Sequence, residues 1–433
     1  MKILQMSRWF FPHVGGASVR VYQVAKNLTE MGHEVHLLTH NPQSIGQCNL
    51  DEEAPLYEEH PDGFKVYRLP YYNLGNSFNW AVSIPLMTMK AVEIIKKEEI
   101  DVILSHNPPY IVGVASLKAS MLTGKPMVTL VHDIWGASHY SALEGAIGGL
   151  LEGICVKNSK KLIVPLGGLD DILMHKYGVP KERFVVAETG VDTEKFKPIK
   201  ITKAEIMQVK KALESCVSGD AMKKLVDPSY KKVLFLGILA PWSGCEYLIE
   251  AAKRVNDETL FIIVGHGVQQ KELVDRAAKL GVSDRVAFVG TLKPEVLPVL
   301  MNMADVCVSP FPKPDSVGRE NAMPVRPIST LEFMSCGRPV VMSDIPGAGE
   351  LIMDGKTGVL FKAEDPAALA EKIIYLLGNP RLRADLSKNA REFITSGGFE
   401  WKDSVRKVER ALSEAVCDCE GHYRVAGDCQ MWR

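Results

Sequence analysis

The sequence predicts two α/β domains, each a doubly wound, Rossmann-like parallel sheet, facing a central cleft. Three short strings carry that expectation. Gly15-Gly16-Ala17 follows a first strand, Gly265-His266-Gly267 follows a later one, and Glu332 through Val341 spans a helix and the strand after it. Each sets glycine or a helix start at the carboxyl end of a β-strand, where open α/β sheets bind phosphorylated ligands.

Lys2 to Met6 reads as a short buried strand and Phe10 to Gly16 as a loop. Val21, Val24, Ala25 and Leu28 recur at helical spacing between Ala17 and Met31, and Gly32 ends that helix. Glu34 to Thr39 is the next strand, and this β-loop-α-turn-β unit starts a doubly wound sheet. The polar stretch from Pro42 to Pro61 reads as a surface loop. A strand at Val66 to Leu69, a helix at Pro85 to Lys97 and a strand at Val102 to Ser105 follow. A helix at Pro108 to Thr123 leads to a strand at Met127 to Val131, which ends at His132-Asp133. Lys161 to Val164 and Arg183 to Ala187 complete the first sheet. The turn-rich run Thr189 to Pro198 marks the boundary between domains at 1–190 and 191–399. After a charged helical stretch at 200–228, a second alternation begins. Strands at Lys232 to Leu236, Leu260 to Val264, Val286 to Val289, Val306 to Ser309 and Pro339 to Ser343 are separated by helices.

A chain of 433 residues is long enough for two or three domains with cores of their own. A net charge of −1 gives no basic footprint for nucleic acid. No apolar run of about 18 residues predicts a spanning helix; the greasiest stretch, Ala137 to Val156, carries Glu144 and Glu152. The apolar run before Arg8 is too short for a signal peptide, and the nine cysteines are scattered. A reducing cytoplasm is the expected location. In the tail, Cys417, Cys419, His422 and Cys429 could ligate zinc or form an ordinary thiol-bearing terminus.

Several strings stand in one order along the chain: Phe10-Phe11-Pro12, Gly15-Gly16-Ala17, Gly32-His33-Glu34-Val35, Gly190-Val191-Asp192 with Phe196 and Pro198, Val264-Gly265-His266-Gly267, Val289-Gly290, Ser309-Pro310, Glu332 to Val341, and Gly347 to Gly358. In this the chain resembles family 4 glycosyltransferases of the two-domain GT-B fold, from residue 3 to about residue 400. The resemblance implies transfer of a hexose from a nucleotide-sugar, a UDP- or GDP-sugar, with retained anomeric configuration. It implies no cofactor and no metal. It further implies a donor held mainly by the second domain and a saccharide or lipid-linked acceptor on the first. The helix near Trp401 to Ala415 and the tail, 400–433, are implied to rejoin the first domain.

Breaking a sugar–diphosphate bond leaves negative charge on the nucleotide, which amides, helix dipoles or cations must stabilise. Gly15 and Gly16 let backbone N–H groups approach a phosphate, or form a plain tight turn. Gly265 and Gly267, with Gly237 after an earlier strand, are implied to approach the nucleotide; a structural turn is the alternative. Glu332 matches the family glutamate that holds the ribose hydroxyls, while Ser329-Thr330-Leu331-Glu332 also fits a capping box. Thr330 joins the donor-binding set. Glu350 could bind sugar or cap the next helix. With Gly16, His132 and Asp133 match positions beside the transferred sugar, against a buried structural histidine as the alternative.

The chain also departs from the family. Where relatives carry an arginine and a lysine for the diphosphate it has Ile238 and Ser243, and where they carry a first glutamate it has Pro324. Lys313, Arg319, Glu320 and Arg326 lie in the loop before Glu332, and Arg8 and Arg20 flank the first glycine loop. Arg326 and Arg20 are the expected replacements at the diphosphate, with solvated charges as the alternative. A catalytically weakened relative that binds a nucleotide-sugar or a partner is the second functional reading. Trp9, Phe10 and Phe11, and Tyr71, Tyr72, Phe78 and Trp80, could touch lipid at the inner face of the membrane, touch an acceptor, or lie in the core.

Overall fold

A computed structural model describes residues 1–13, 15–41, 54–70, 76–107, 110–132, 142–314, 316 and 326–420, without the side chains of 76–81, 110, 142–146, 419 and 420. The chain divides into two compact units, Met1–Glu188 with Trp401–Arg433, and Thr189–Glu400.

The first unit runs β1 (Lys2–Met6), α1 (Gly16–Glu30), β2 (Glu34–His40), β3 (Tyr57–Glu59), β4 (Lys65–Leu69), α2 (Asn76–Glu98), β5 (Val102–Asn107), α3 (Tyr110–Thr123), β6 (Met127–Val131), α4 (Ala142–Asn158), β7 (Lys161–Val164), α5 (Leu169–Tyr177) and β8 (Phe184–Val186). Its sheet has the order β3-β4-β2-β1-β5-β6-β7-β8. The pairs are parallel except β3 with β4. Buried strands of a parallel sheet are apolar on both faces. Ile3, Val102, Leu104, Val128 and Leu130 pack with Val21, Val24 and Leu28 of α1. Val405, Val408 and Leu412 of the final helix lie in the same core. Leu4, Met6, Ile103 and Met127 face Met87, Ile94, Val112 and Ala115 of α2 and α3.

The second unit holds α6 (Lys203–Leu213), α7 (Gly219–Val226), β9 (Lys231–Leu236), α8 (Cys245–Ala252), β10 (Thr259–Val264), α9 (Gln270–Leu280), β11 (Val286–Gly290), α10 (Leu297–Met303), β12 (Val306–Ser309), α11 (Ile328–Ser335), β13 (Val340–Asp344), α12 (Ala348–Leu351), β14 (Val359–Lys362), α13 (Pro366–Gly378) and α14 (Pro380–Ser396). Its sheet order is β11-β10-β9-β12-β13-β14, all parallel. Leu234, Ile262, Cys307 and Met342 fill one face, and Phe235, Phe261, Ile263 and Val341 the other. The last helix, α15 (Trp401–Glu420), belongs to the first unit.

Three local expectations change. α2 begins at Asn76, so Pro85 lies inside the helix; proline removes one backbone bond, and here the helix runs through it. The acidic loop contains β3, whose Glu58 accepts from Arg68 at 2.7 Å. Phe10 is core, 3% exposed and edge-on to Phe64 at 6.1 Å, not a lipid-facing ring. The side chains of Tyr71, Tyr72, Phe78 and Trp80 lie outside the described residues.

Candidate functional site

In the first unit the candidate residues gather at the carboxyl ends of β1, β5 and β6. Gly15 precedes α1 in extended geometry, with φ 172°. α1 has no side-chain cap and no acidic residue in its first turn. Its leading amides, from Gly16 onward, are therefore orphan donors among the described residues, and the positive end of its dipole is uncompensated. Ser18 inside that turn is buried and bonds His13 Nδ1 at 3.1 Å.

Strand alternation sets the rest. Val102 and Leu104 of β5 and Val128 and Leu130 of β6 face the core under α1, so His106 and His132 continue that face. His106 Nδ1 and His132 Nε2 lie 2.9 Å apart. Burial lowers the His106 pKa to about 3, helped by the Arg20 charge. His132 is held well below the ordinary range by burial, then by His106 and Arg20. Both rings are neutral at physiological pH. Arg20 is itself buried, and its Nη2 donates to the Ala187 carbonyl at 2.8 Å. Burial draws its guanidinium down to about 10, opposed by Glu188. Arg20 thus sets the field around the histidines while one arm ties α1 to the end of β8. Asp133 lies outside the described residues.

In the second unit the glycine strings bring two strand ends together. A Cβ on Gly265, where φ is +135°, would stand 1.8 Å from the Gly237 carbonyl oxygen. A Cβ on Gly267 would stand 2.3 Å from the Leu239 carbonyl oxygen. The Gly237 N–H donates to Val264 and the Gly265 N–H to Gly290. These glycines permit close backbone packing, and the two amides are already bonded within the sheet. The structural-turn reading of these glycines is thus present, and an approach to the nucleotide by Gly265 or Gly237 would not go through these two N–H groups.

Glu332 sits on α11, 7% exposed, and its carboxylate bonds no described residue. The capping-box alternative is absent, because the N-cap is Pro327 and no side-chain cap bond forms. Burial raises the Glu332 pKa to about 8; Lys195 pulls it down and Asp192 pushes it up. Thr330 is fully buried and bonds Ser309 at 2.8 Å, tying α11 to β12. Arg326 reaches Glu350 at 3.2 Å and lies over the Phe399 ring at 5.5 Å. Two expected donor-binding residues therefore pair with each other. Ile238 is 42% exposed, while Ser243 is buried with its hydroxyl on the Ile238 carbonyl. The Lys313 backbone N–H bonds Glu364, and Arg319, Glu320 and Pro324 lie outside the described residues.

Two organising residues escaped the sequence reading. His106 is the last residue but one of β5, where a histidine gives no signal beyond its position. Arg391 on α14 donates to the carbonyls of Thr193, Phe196 and Ser335 at 2.9 to 3.2 Å, fixing the segment that carries Asp192 and Lys195. Its partners are backbone atoms far away in sequence, so no side-chain motif announces it.

Among the described residues, Glu34, His36 and Glu98 have spacing that could hold a metal. The Lys65 ammonium, 3.0 Å from Glu34 and 3.3 Å from Glu98, already supplies the cation there. Of the tail group, Cys417 is exposed on α15, the Cys419 side chain is not described, and His422 and Cys429 lie outside the described residues.

The chain matches the family model "Glycosyltransferase Family 4" over residues 14–195 and "Glycosyl transferases group 1" over residues 220–393. Glycogen synthase of Mycobacterium tuberculosis is 25% identical over 421 residues, covering 93% of this chain and 92% of that protein. D-inositol 3-phosphate glycosyltransferase of Frankia alni is 26% identical over 419 residues, covering 93% and 95%. Among solved structures, sucrose-phosphate synthase of Thermosynechococcus elongatus superposes with a TM-score of 0.75 at 20% identity, covering 96% and 99%. HepE of Anabaena, in complex with UDP and glucose, gives a TM-score of 0.71 at 22% identity, covering 96% and 100%. At these identities the structural likeness shows the fold.

Proposed function

Since this chain belongs to the nucleotide-sugar-dependent glycosyltransferases of the family 4 and group 1 type, with the GT-B fold, we propose that it moves a hexose from a UDP- or GDP-sugar to a saccharide or lipid-linked acceptor. The transfer retains the anomeric configuration and uses no bound metal. The observation that carries the reading is Glu332, a buried carboxylate without a described partner beside a strand end of the unit matched to the group 1 model. A buried carboxylate needs donors. Two ribose hydroxyls would satisfy it.

In this reading the first unit takes the acceptor and the second the donor. In the second unit the Arg326 guanidinium provides positive potential for the leaving diphosphate, worth about 3 kcal/mol for a well-placed donor, and in the first unit the open amides of α1 are a separate candidate for holding an anion. Gly237, Gly265, Gly267 and Thr330 shape the second unit's strand ends. Glu350 holds Arg326 until a phosphate competes for it. His132 and Asp133 are the first unit's candidates for contact with a sugar. UDP is the first nucleotide to test, because HepE is solved with UDP and with UDP-glucose.

A specific observation favours the second reading, a weakened relative that binds without turnover. The two positions where relatives carry cations hold an uncharged exposed isoleucine and a buried serine bonded to that isoleucine's carbonyl. One assay separates the two. Nucleotide release is measured from a panel of UDP- and GDP-sugars, with and without acceptor, in EDTA. Acceptor-dependent release supports transfer, and binding without release supports the module. Activity that returns only with added divalent metal refutes the metal-free mechanism.

A further inference from the structure

We propose that His106 is a positioning residue that fixes His132 as a neutral imidazole protonated on Nδ1, so that His132 offers an N–H to an oxygen of the bound sugar. What His132 acts on rests on the function proposed above; the tautomer does not.

At 2.9 Å, one hydrogen lies between His106 Nδ1 and His132 Nε2. Two bare nitrogens would repel, and two N–H groups would collide. The rings lie 5.1 Å apart and inclined by 29°, so each has its second nitrogen free of the other ring. The far end of His106 decides which ring owns the shared hydrogen. His106 Nε2 is buried and has no partner among the described residues. An N–H at that atom would be a buried donor without an acceptor, inside the positive field of Arg20. Arg20 acts on both rings, and its own Nε is a second buried donor without an acceptor. A lone pair on His106 Nε2 is stabilised by that field, and an N–H is destabilised. The His106 hydrogen therefore sits on Nδ1 and is donated to His132 Nε2. The single hydrogen of neutral His132 is left on Nδ1.

The same surroundings keep the pair uncharged. A proton added to either ring would put a second cation beside Arg20 in a buried place. Among the described residues no carboxylate acts on either histidine. Glu188 acts on Arg20 and is ion-paired with Lys407 of α15.

The test is nitrogen NMR of the full chain with labelled histidine, the His132 signals being assigned by their loss in His132→Gln. We expect the Nδ1–H form in the wild type from about pH 6 to 8. His106→Asn, whose amide can place an N–H where Nδ1–H stood, retains it. His106→Leu shifts His132 toward the Nε2–H form. Turnover follows the tautomer: kcat for transfer falls on the order of 10–100-fold in His106→Leu, with the donor KM changed less than about twofold, and recovers in His106→Asn. An Nε2–H His132 in the wild type, or an Nδ1–H form unchanged in His106→Leu, overturns the proposal. If His106→Leu does not fold, the wild-type and His106→Asn spectra still decide it. A wild type that shows the Nδ1–H form yet transfers no sugar leaves this inference standing and overturns the proposed function instead.

Discussion

Glu332→Gln separates a buried ionisable clamp from a merely structural glutamate. Burial raises the carboxyl of Glu332 from 4.5 to about 8. A group with a raised folded-state value contributes stability that is fully present below about 4.5 and lost as pH rises through about 8. Each pH unit in that window corresponds to about 1.4 kcal/mol. The ceiling is therefore roughly 5 kcal/mol, and relaxation around the charge brings the expected loss to on the order of 2–4 kcal/mol. Glutamine keeps the shape and cannot ionise. The variant should match the wild type within about 1 kcal/mol near pH 5 and exceed it by about 2–4 kcal/mol near pH 9. Urea unfolding of both full chains measures this, with hydrogen exchange of the α11 amides locating the transition in the second unit. Ribose hydroxyls that donate to Glu332 favour its ionised form, so UDP binding to the wild type should tighten from about pH 7 to 9 and lose that dependence in the variant. A stability difference that is equal at both pH values refutes a buried, titrating Glu332.

Gly265→Ala should cost about 3–5 kcal/mol, combining a backbone geometry foreign to alanine with displacement of the Gly237 carbonyl that stands 1.8 Å from the added Cβ; calorimetry should show Tm lower by roughly 6–15 °C, and a fall below about 2 °C would contradict the close approach. Arg391→Ala should cost about 2–4 kcal/mol and raise hydrogen exchange across 192–196, because three carbonyls lose a charged donor; unchanged exchange there would show that the segment holds itself. Arg326→Ala should weaken UDP binding about tenfold at nearly unchanged Tm, since its partner Glu350 is 49% exposed and the pair adds little stability. Unaltered affinity removes Arg326 from the site.

Most parallel strands could be read in advance because buried parallel strands are short apolar runs separated by helices, whereas the order of the strands in each sheet is not read from the sequence and the short antiparallel β3 reads there as loop. The turn glycines were legible as positions but not as roles. Gly265 reads as approaching the nucleotide or as a structural turn, and the Gly237 carbonyl 1.8 Å from where its Cβ would be shows the packing role that the pattern alone does not. Glu332 carried two readings that sequence cannot separate, since a capping box and a ribose clamp both call for a glutamate there; the absence of a cap bond removes the first and leaves the clamp as the proposal. Arg326 was legible as a nearby cation, but not as the partner of Glu350. His106 and Arg391 act through atoms distant in the chain, and local pattern carries nothing of that kind.

The core under α1 is completed by Val405, Val408, Leu412 and Ala415 of α15, while residues 189–400 form the other unit between its two parts. During synthesis the ribosome must make that whole insert before the closing helix emerges, a delay on the order of 10–40 s. Through that interval the nascent amino-terminal sheet has the face under α1 without the covering that α15 adds. The later-born unit, continuous in sequence, is therefore the one that can fold first, and the earlier-born one is the client for chaperones that shield apolar surface.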